Sequence, residues 1–357
     1  MTPPQERASG RPRIWLRLAL SLMAGAALCW MLVRGGLPIV PEAGAFAGLR
    51  RSTVALYVAS LLGVHFLRAA RWRHLLRPIG AVPLRAVLAT SWIGFAAVLF
   101  LPLRLGEVVR PWLVARRGAV RGWEAAGTVG AERVVDGLAL SAILFGALEL
   151  STPLDPLPER VGALELPVRA VRGAAYGALG LFALCFALMA LLYWQRERAL
   201  RLVRAGAGLA SQRLGARLAG IAARVADGLR FLPAARHGLP FLLETLAYWA
   251  LNAAGLWLLA RSCGIEPLGG LEACVVMGSL GIGILVPAGP GFFGAYQLSV
   301  YLALALYLPP ERVVGPGSAF VFLSYTSQLA LHALGALVGL ALDRRSARNL
   351  AAPAAPA

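Results

Sequence analysis

The stretch GAAYGALGLFALCFALMALLYW, residues 173–194, decides the fold. It carries no charged residue over the length that a helix needs to cross a hydrocarbon core, about 20 residues. Comparable apolar runs recur along the chain, at residues 14–33, 52–67, 84–101, 134–150, 239–260, 270–287, 295–308 and 318–342. The pattern predicts an all-α polytopic membrane bundle of about eight spans plus two broken or re-entrant segments.

The composition agrees with a lipid environment, since 59% of the 357 residues are hydrophobic. The formal net charge is +18, and all 35 basic residues are arginine. These arginines stand between the apolar runs rather than on one polar face with interleaved aromatic residues. The charge therefore favours loops held at an anionic leaflet over nucleic-acid binding.

The distribution of arginine predicts the topology, because positively charged loops stay in the cytoplasm. Arginines crowd the N-terminus and residues 68–85, 110–133, 196–236 and 344–348, whereas the loops 151–172 and 261–269 are acidic or nearly uncharged. We expect a protein of the inner cell membrane with both termini cytoplasmic. Its predicted parts are a tail at 1–13, a transmembrane domain at 14–345 with a cytoplasmic amphipathic connector at 195–237, and a disordered Ala/Pro tail at 346–357.

Two hydrophobic segments are predicted to be broken. If Arg85 and Arg116 lie on one side, the chain must enter and return, and the return contains Pro102 and Gly106, which favour a re-entrant hairpin. The second break is LVPAGPGFFG, residues 285–294, which no regular helix accommodates. Its helix-breaking residues are Pro287, Gly289, Pro290, Gly291 and Gly294. In transporters, a pair of interrupted segments indicates a substrate site.

Ionisable residues inside a membrane are functional candidates by default. In LPLRLGEVVRPWL, residues 101–113, the spacing of Arg104, Glu107 and Arg110 allows them to neutralise one another along one helical face. Two guanidinium groups against one carboxylate leave a positive surplus that suits a phosphate headgroup. An ion-paired cap at the interface is the structural alternative.

A second charged motif, AERVVDGLAL at residues 131–140, places Glu132 and Asp136 one turn apart beside Arg133. These carboxylates are expected to pair with Arg104 or Arg110. Carboxylates at a helix N-terminus, stabilised by the helix dipole, are the equally weighted alternative.

Two later spans carry polar stripes, which must face the bundle interior or a cavity. The stripes are Glu244, Tyr248 and Asn252 in one helix and Tyr325, Gln328 and His332 in another. Interhelical hydrogen bonding and cavity lining are both open explanations. The spacing of the four cysteines indicates neither a metal site nor a disulfide framework, and no cofactor motif is present in the sequence.

The order of four motifs resembles the flippase-like transmembrane domain of lysylphosphatidylglycerol synthases and its stand-alone relatives. The motifs are RAARWRHLL, LPLRLGEVVR, ERVVDG and PAGPGFFGAYQ, within residues 68–332. The resemblance implies a bundle of about eight helices with broken elements that transfers modified or glycosylated lipids between leaflets. The family positions that it implies here are Arg71, Trp72, Pro102, Arg104, Gly106, Glu107, Glu132, Arg133, Asp136, Pro290, Gly291 and Gly294.

Two departures limit what the resemblance implies. Relatives often carry a glutamate where this chain has Gln297, which weakens any carboxylate-based ion coupling there. The chain ends at Ala357 after an Ala/Pro tail, so we expect neither a soluble aminoacyl-transferase domain nor lysyl-lipid synthesis by this chain alone.

The leading hypothesis is a non-enzymatic membrane protein that binds or translocates an anionic or modified lipid. Arg104 and Arg110 engage the headgroup, Glu107 tunes them, and the break at residues 287–294 shapes the opposing wall. The other headgroup-binding candidates are Arg71, Glu132, Arg133 and Asp136, and the cavity-shaping candidates are Pro102, Gly106, Pro287, Pro290, Gly291, Gly294 and Gln297. The alternative is a non-transporting scaffold for an envelope-lipid transferase, bound through residues 196–236. The sequence leaves open whether the protein is a homo-oligomer.

Overall fold

The computed structural model describes residues 11–101, 106–165, 167–209, 211–285 and 289–351. The helices are α1 Arg11–Arg34, α2 Arg51–Ala70, α3 Trp72–Leu76, α4 Leu84–Phe100, α5 Gly106–Ala115, α6 Gly122–Leu150, α7 Ala170–Trp194, α8 Arg196–Gly208, α9 Gln212–Asp227, α10 Ala235–Ser262, α11 Gly270–Gly283, α12 Ala295–Leu304, α13 Pro310–Val314 and α14 Pro316–Ala351. A small antiparallel hairpin, β1 Arg160–Val161 and β2 Leu164–Glu165, joins α6 to α7.

The helices confirm the predicted all-α membrane bundle. Four segments of the described chain are long and apolar enough to cross a membrane: Arg51–Leu76, Ala170–Trp194, Ala235–Ser262 and Pro310–Arg344. Shorter apolar helices cover Ser21–Arg34, Leu84–Phe100 and Gly270–Gly283. Because lipid cannot satisfy backbone polar groups, helical hydrogen bonding within each segment is what makes such a chain compatible with a bilayer.

The broken segment after α4 forms a helical hairpin in which α5 returns along α4. An added Cβ at Gly106 would lie 2.0 Å from the backbone nitrogen of Val98, and one at Gly94 would lie 2.1 Å from the Cγ of Arg110. Glycine at both positions therefore allows the two helices to approach closely and lets the Arg110 side chain pass over α4. Pro102 and Arg104 lie outside the described residues.

The break before α12 has an unusual backbone. Gly291 and Gly294 have φ values of 74° and 86°, a region that favours glycine, and Phe292 between them has a φ of 56°. A short 3-10 turn, Pro290–Phe292, contacts α4 and α1. The sequence prediction that this segment is not a regular helix therefore agrees with the described backbone, while Pro287 lies outside it.

The connector between α7 and α10 folds as a pair of helices, α8 and α9. Arg196 joins them by an ion pair to Asp227 at 2.8 Å, and α9 packs on the N-terminal part of α6. None of the α8 residues is buried, and the side chain of Leu202 is 74% exposed. The connector thus rests on the bundle through α9 and presents α8 outward.

The close approach of α4 and α5 predicts a specific sensitivity. Gly106→Ala inserts a methyl group against the α4 backbone, so we expect the free energy of unfolding to fall by about 1–3 kcal/mol, the usual range for overpacking. Gly130→Ala is the matched control, because an added Cβ there has no neighbour within 4 Å. Thermal melting of the two purified variants in detergent measures the difference, and equal melting temperatures would contradict the contact.

Candidate functional site

Six charged side chains from three parts of the chain meet inside the bundle. They are Arg71, between α2 and α3; Glu107 and Arg110, on α5; and Glu132, Arg133 and Asp136, on α6. We call this group the charge cluster. The helices that form it are held by the α4–α5 hairpin on one side and by α10 on the other.

Arg71 lies fully buried at the junction of α2 and α3. Its Nη2 donates to Oδ2 of Asp136 at 2.6 Å and to Oε1 of Glu132 at 3.1 Å, and its Nη1 donates to Oγ1 of Thr245 at 2.7 Å. The rings of Phe241 and Tyr248 lie within 5.0 Å of its guanidinium carbon. Charge-assisted hydrogen bonds and aromatic rings together replace the water that this cation would otherwise require.

Arg110 is also fully buried, and it reaches from α5 to α6. Its Nη2 lies 3.0 Å from Oε2 of Glu132, and its Nη1 donates to Oε1 of the same carboxylate at 3.2 Å. Its guanidinium carbon lies 4.3 Å from the Trp72 ring centroid and 4.9 Å from that of Phe95. Two nitrogens of one guanidinium group thus contact both oxygens of one carboxylate, an arrangement that the single ammonium group of a lysine cannot provide.

Glu132 is the centre of the charge cluster because three guanidinium groups contact its carboxylate. Arg133 donates to Oε1 from Nη2 at 2.9 Å, in addition to the contacts from Arg71 and Arg110. The Glu132 side chain has no exposed surface. A lone buried carboxylate would be costly, whereas one that accepts from several cations is stabilised.

The charges pair differently from the sequence prediction. Glu107 and Arg110 were expected to neutralise each other along one helical face, but Arg110 turns inward to Glu132, and the ion-pair partner of Glu107 is Arg133, with Nε and Oε2 3.5 Å apart. Because Gly94 has no side chain, the Arg110 side chain can pass close to α4 on its way from α5 to α6. The expected pairing of Glu132 with Arg110 is present, and Asp136 pairs with Arg71.

The charge cluster is electrically balanced among its described members, with three arginines and three carboxylates. The surplus expected from residues 104–110 depends on Arg104, which lies outside the described residues. The accessible edge of the charge cluster is formed by Arg133 and Glu107, whose side chains are 30% and 26% exposed, whereas Arg71 and Arg110 are enclosed.

The stripe on α10 joins this polar interior. The Tyr248 hydroxyl donates to Oδ1 of Asp136 at 2.9 Å, and Glu244 accepts from Arg73 at 2.6 Å and lies 3.1 Å from Nε2 of His74. Asn252 is only partly buried. Hydrogen bonding between helices therefore accounts for Glu244 and Tyr248.

The stripe on α14 lies elsewhere, beside the Pro-Gly break and α2. The Tyr325 ring packs on Tyr296, with centroids 5.1 Å apart, and His332 Nδ1 lies 2.7 Å from the carbonyl oxygen of Gln328. The His332 ring meets that of His65 edge to face at 4.5 Å. This stripe forms no direct ion pair or hydrogen bond with the charge cluster among the described residues.

Gln297 has a structural role in the described chain. Its Oε1 accepts a hydrogen bond from the backbone nitrogen of Gly294 at 2.8 Å, which caps the start of α12. Because an amide oxygen and a carboxylate oxygen both accept from a backbone N–H, glutamine preserves this cap without adding a buried charge.

Sequence reasoning missed the groups that solvate the charge cluster. Thr245 accepts from Arg71, and Thr128 accepts at 2.9 Å from the indole of Trp72, itself one of the family positions. The rings of Phe95 and Phe241 cover the guanidinium groups. Threonine and phenylalanine are common in apolar helices, so their presence in the sequence does not indicate this role. Only the packing of the helices shows which of them contact the charge cluster.

Apolar helices around a buried charge cluster define a polytopic α-helical membrane protein. The chain belongs to the family described as "Lysylphosphatidylglycerol synthase TM region", whose sequence model matches residues 14–331. The match spans the charge cluster and the Pro-Gly break, and it confirms the resemblance found in the sequence. No curated protein and no solved structure matches the chain. Membership indicates a lipid-related membrane protein.

The position of Glu132 predicts a large effect on stability. Glu132→Gln leaves Arg71, Arg110 and Arg133 without their common anion, so we expect a loss of about 3–5 kcal/mol, the cost of breaking a buried ion pair. Glu149→Gln is the control, because Glu149 pairs with Arg172 at the exposed end of α6. Melting curves in detergent compare the variants, and a Glu132→Gln protein as stable as the control would show that the carboxylate is not the centre of the network.

Proposed function

We propose that this protein binds the headgroup of an anionic or modified lipid at the open edge of the charge cluster and moves that lipid across the inner membrane. The proposal rests on Arg133 and Glu107. These two oppositely charged side chains are the partly exposed members of a group of charges that is otherwise enclosed.

The first support is energetic. Burying charges in a bilayer is expensive, and a buried ion pair seldom stabilises a protein more than well-packed apolar residues of the same size would. A network of six charges among apolar helices is therefore poorly explained by stability alone. In membrane proteins, ionisable residues within spans commonly mark the path of a substrate.

The second support is the hydrogen-bonding capacity that remains at the edge. The Nε of Arg133 and the Oε2 of Glu107 form an ion pair at 3.5 Å, and neither atom has a hydrogen-bond partner among the described residues. Arg71 and Arg110 also leave Nε without a hydrogen bond there, but aromatic rings cover their guanidinium groups. The two atoms of the edge are themselves buried, but the rest of each side chain is partly exposed, so a headgroup can reach them by separating this one ion pair.

These two atoms define the chemistry of the headgroup. The Nε–H of Arg133 can donate to a phosphate oxygen, and Oε2 of Glu107 can accept from a hydroxyl or ammonium group. A headgroup with a phosphate followed by a hydroxyl or amino substituent would satisfy both. Arg110, which the sequence hypothesis assigned to the headgroup, instead holds Glu132 in place for Arg133.

The test is lipid movement by reconstituted protein. Proteoliposomes containing fluorescent phosphatidylglycerol report translocation through the fraction of label that an external reductant quenches. We expect Arg133→Gln to slow this movement at least about tenfold, as loss of one charge-assisted contact would. Arg133→Lys should be nearly as slow, because lysine keeps the charge but lacks the Nε donor.

Arg198→Gln is the control for that assay, because Arg198 lies exposed on α8 and bonds only to Gln195 among the described residues. Each variant must elute as a monodisperse species and melt cooperatively before its rate is compared. Wild-type rates in both folded Arg133 variants would remove the headgroup assignment.

A specific observation also favours the scaffold alternative. Two exposed apolar side chains stand on the connector surface: Leu202 on α8, among its arginines, and Leu209 directly after the helix. If a transferase docks here, Leu202→Glu should abolish copurification of that enzyme while leaving lipid movement intact. Loss of lipid movement with the partner still bound would contradict the scaffold function.

A further inference from the structure

An apolar groove of about 100 Å³ lies between α2, α4 and α14, away from the ion pairs of the charge cluster. Its walls include Leu62, Trp92, Phe95, Leu334 and Val338. Leu62 and Leu334 are half exposed, so the groove opens at the outer surface of these helices. On a membrane protein, an apolar surface at this place meets lipid chains.

Two histidines interrupt this apolar lining. His65 and His332 both line the groove, and their rings are 4.5 Å apart. Nδ1 of His332 is engaged by the carbonyl of Gln328. His65 is only 9% exposed, the Gln328 side chain lies beside its ring, and its Nε2 is buried without a hydrogen-bond partner among the described residues. An unpaired ring nitrogen in apolar surroundings is costly, which points to a ligand that supplies the missing partner.

A cation stands one helical turn from His65. The guanidinium of Arg68 lies 4.4 Å from the ring centroid of Phe95, a residue of the groove wall. Among the described residues, no carboxylate lies within 4.0 Å of its nitrogens. Arg68 therefore differs from Arg71, three positions later, which has two carboxylate partners.

The order of these groups along α2 is the decisive feature. Leu62, His65 and Arg68 follow one another at three-residue steps, each about 4.5 Å along the helix axis. From the middle of the helix toward its arginine-rich end, α2 therefore presents a hydrocarbon surface and an imidazole nitrogen in the groove and then, just beyond the lining residues, the Arg68 cation. A glycerophospholipid presents acyl chain, ester and phosphate in the same order and at similar spacing.

We propose that the groove between α2, α4 and α14 binds one glycerophospholipid of the leaflet on the arginine-rich side. An acyl chain lies against Leu62, Leu334 and Val338, an ester carbonyl accepts from Nε2 of His65, and the phosphate pairs with Arg68. The residues that line the groove are not those of the headgroup edge, although Arg68 is close enough to the charge cluster to interact electrostatically with Arg133, Asp136 and Glu132. Occupancy of the groove does not require that the protein translocate lipid.

The first experiment fills the groove. Phosphatidylglycerol with a photoreactive diazirine in one acyl chain is incorporated into proteoliposomes, and the labelled peptides are mapped by mass spectrometry. We expect labelling on α2 and α14 at the groove, and we expect Gly335→Leu to reduce it at least about fivefold, because Gly335 is part of the groove wall.

Gly180→Leu on α7 is the matched control, because Gly180 has open space around it and lies outside the groove. Val338→Trp is a second groove-filling variant in case Gly335→Leu does not fold. Undiminished labelling in whichever groove-filling variant folds would overturn the proposal.

The second experiment tests the phosphate. Purified protein is incubated with phosphatidylglycerol or with diacylglycerol of the same chains, and bound lipid is counted by native mass spectrometry. We expect wild type to retain phosphatidylglycerol about tenfold better, and Arg68→Gln, but not Arg198→Gln, to lower that preference at least about threefold, while any binding at the headgroup edge keeps the remainder. Equal retention of the two lipids by wild type would overturn the role of Arg68. Since the signal is bound lipid, a failed translocation assay leaves this result interpretable.

Discussion

The carboxylate of Glu132 accepts from three guanidinium groups at a place with no exposed surface. In water each ion pair would be nearly neutral in energy, because the charges would exchange one set of hydrogen bonds for another. Inside the bundle, each member is tolerated only while the others are present. This mutual dependence fixes the relative positions of α5, α6 and the α2–α3 junction more strictly than apolar packing would.

The broken helices are what bring such charges together without opening the bundle to lipid. A continuous span would carry Arg110 along one surface, whereas the α4–α5 hairpin turns it toward α6 across Gly94. Irregular backbone at membrane depth needs protein around it, and here α4 and α1 cover the Pro290–Phe292 turn. The α4–α5 break and the charge cluster therefore depend on each other, whereas the Pro290–Phe292 turn is supported by its own contacts with α4 and α1.

The sequence predicted the elements with the strongest physical signal. Apolar runs predicted the helices, proline and glycine predicted the breaks, and intramembrane charge predicted most members of the charge cluster. The pairing itself was not predictable, because the spacing of Glu107 and Arg110 on one helix suggested a pair that α6 replaces. Both Arg110 and Arg133 are candidates in the sequence, and which of them remains accessible depends on interhelical geometry: Arg110 is enclosed, whereas the Arg133 side chain is 30% exposed.

Arg68 and Arg71 belong to the same arginine-rich segment, and only Arg71 is among the positions that the family resemblance implies. Positions three apart on one helix face the same side. The different environments arise because Arg68 is within α2, whereas Arg71 lies at the junction of α2 and α3, where it contacts Glu132 and Asp136. Phe95 lies between the two environments: its ring centroid is 4.4 Å from the guanidinium carbon of Arg68 and 4.9 Å from that of Arg110. A phosphate held at Arg68 would thus be one aromatic ring away from the charge cluster. A lipid could then bind first in the groove and next at the headgroup edge. The Phe95 ring would lie between these two binding sites.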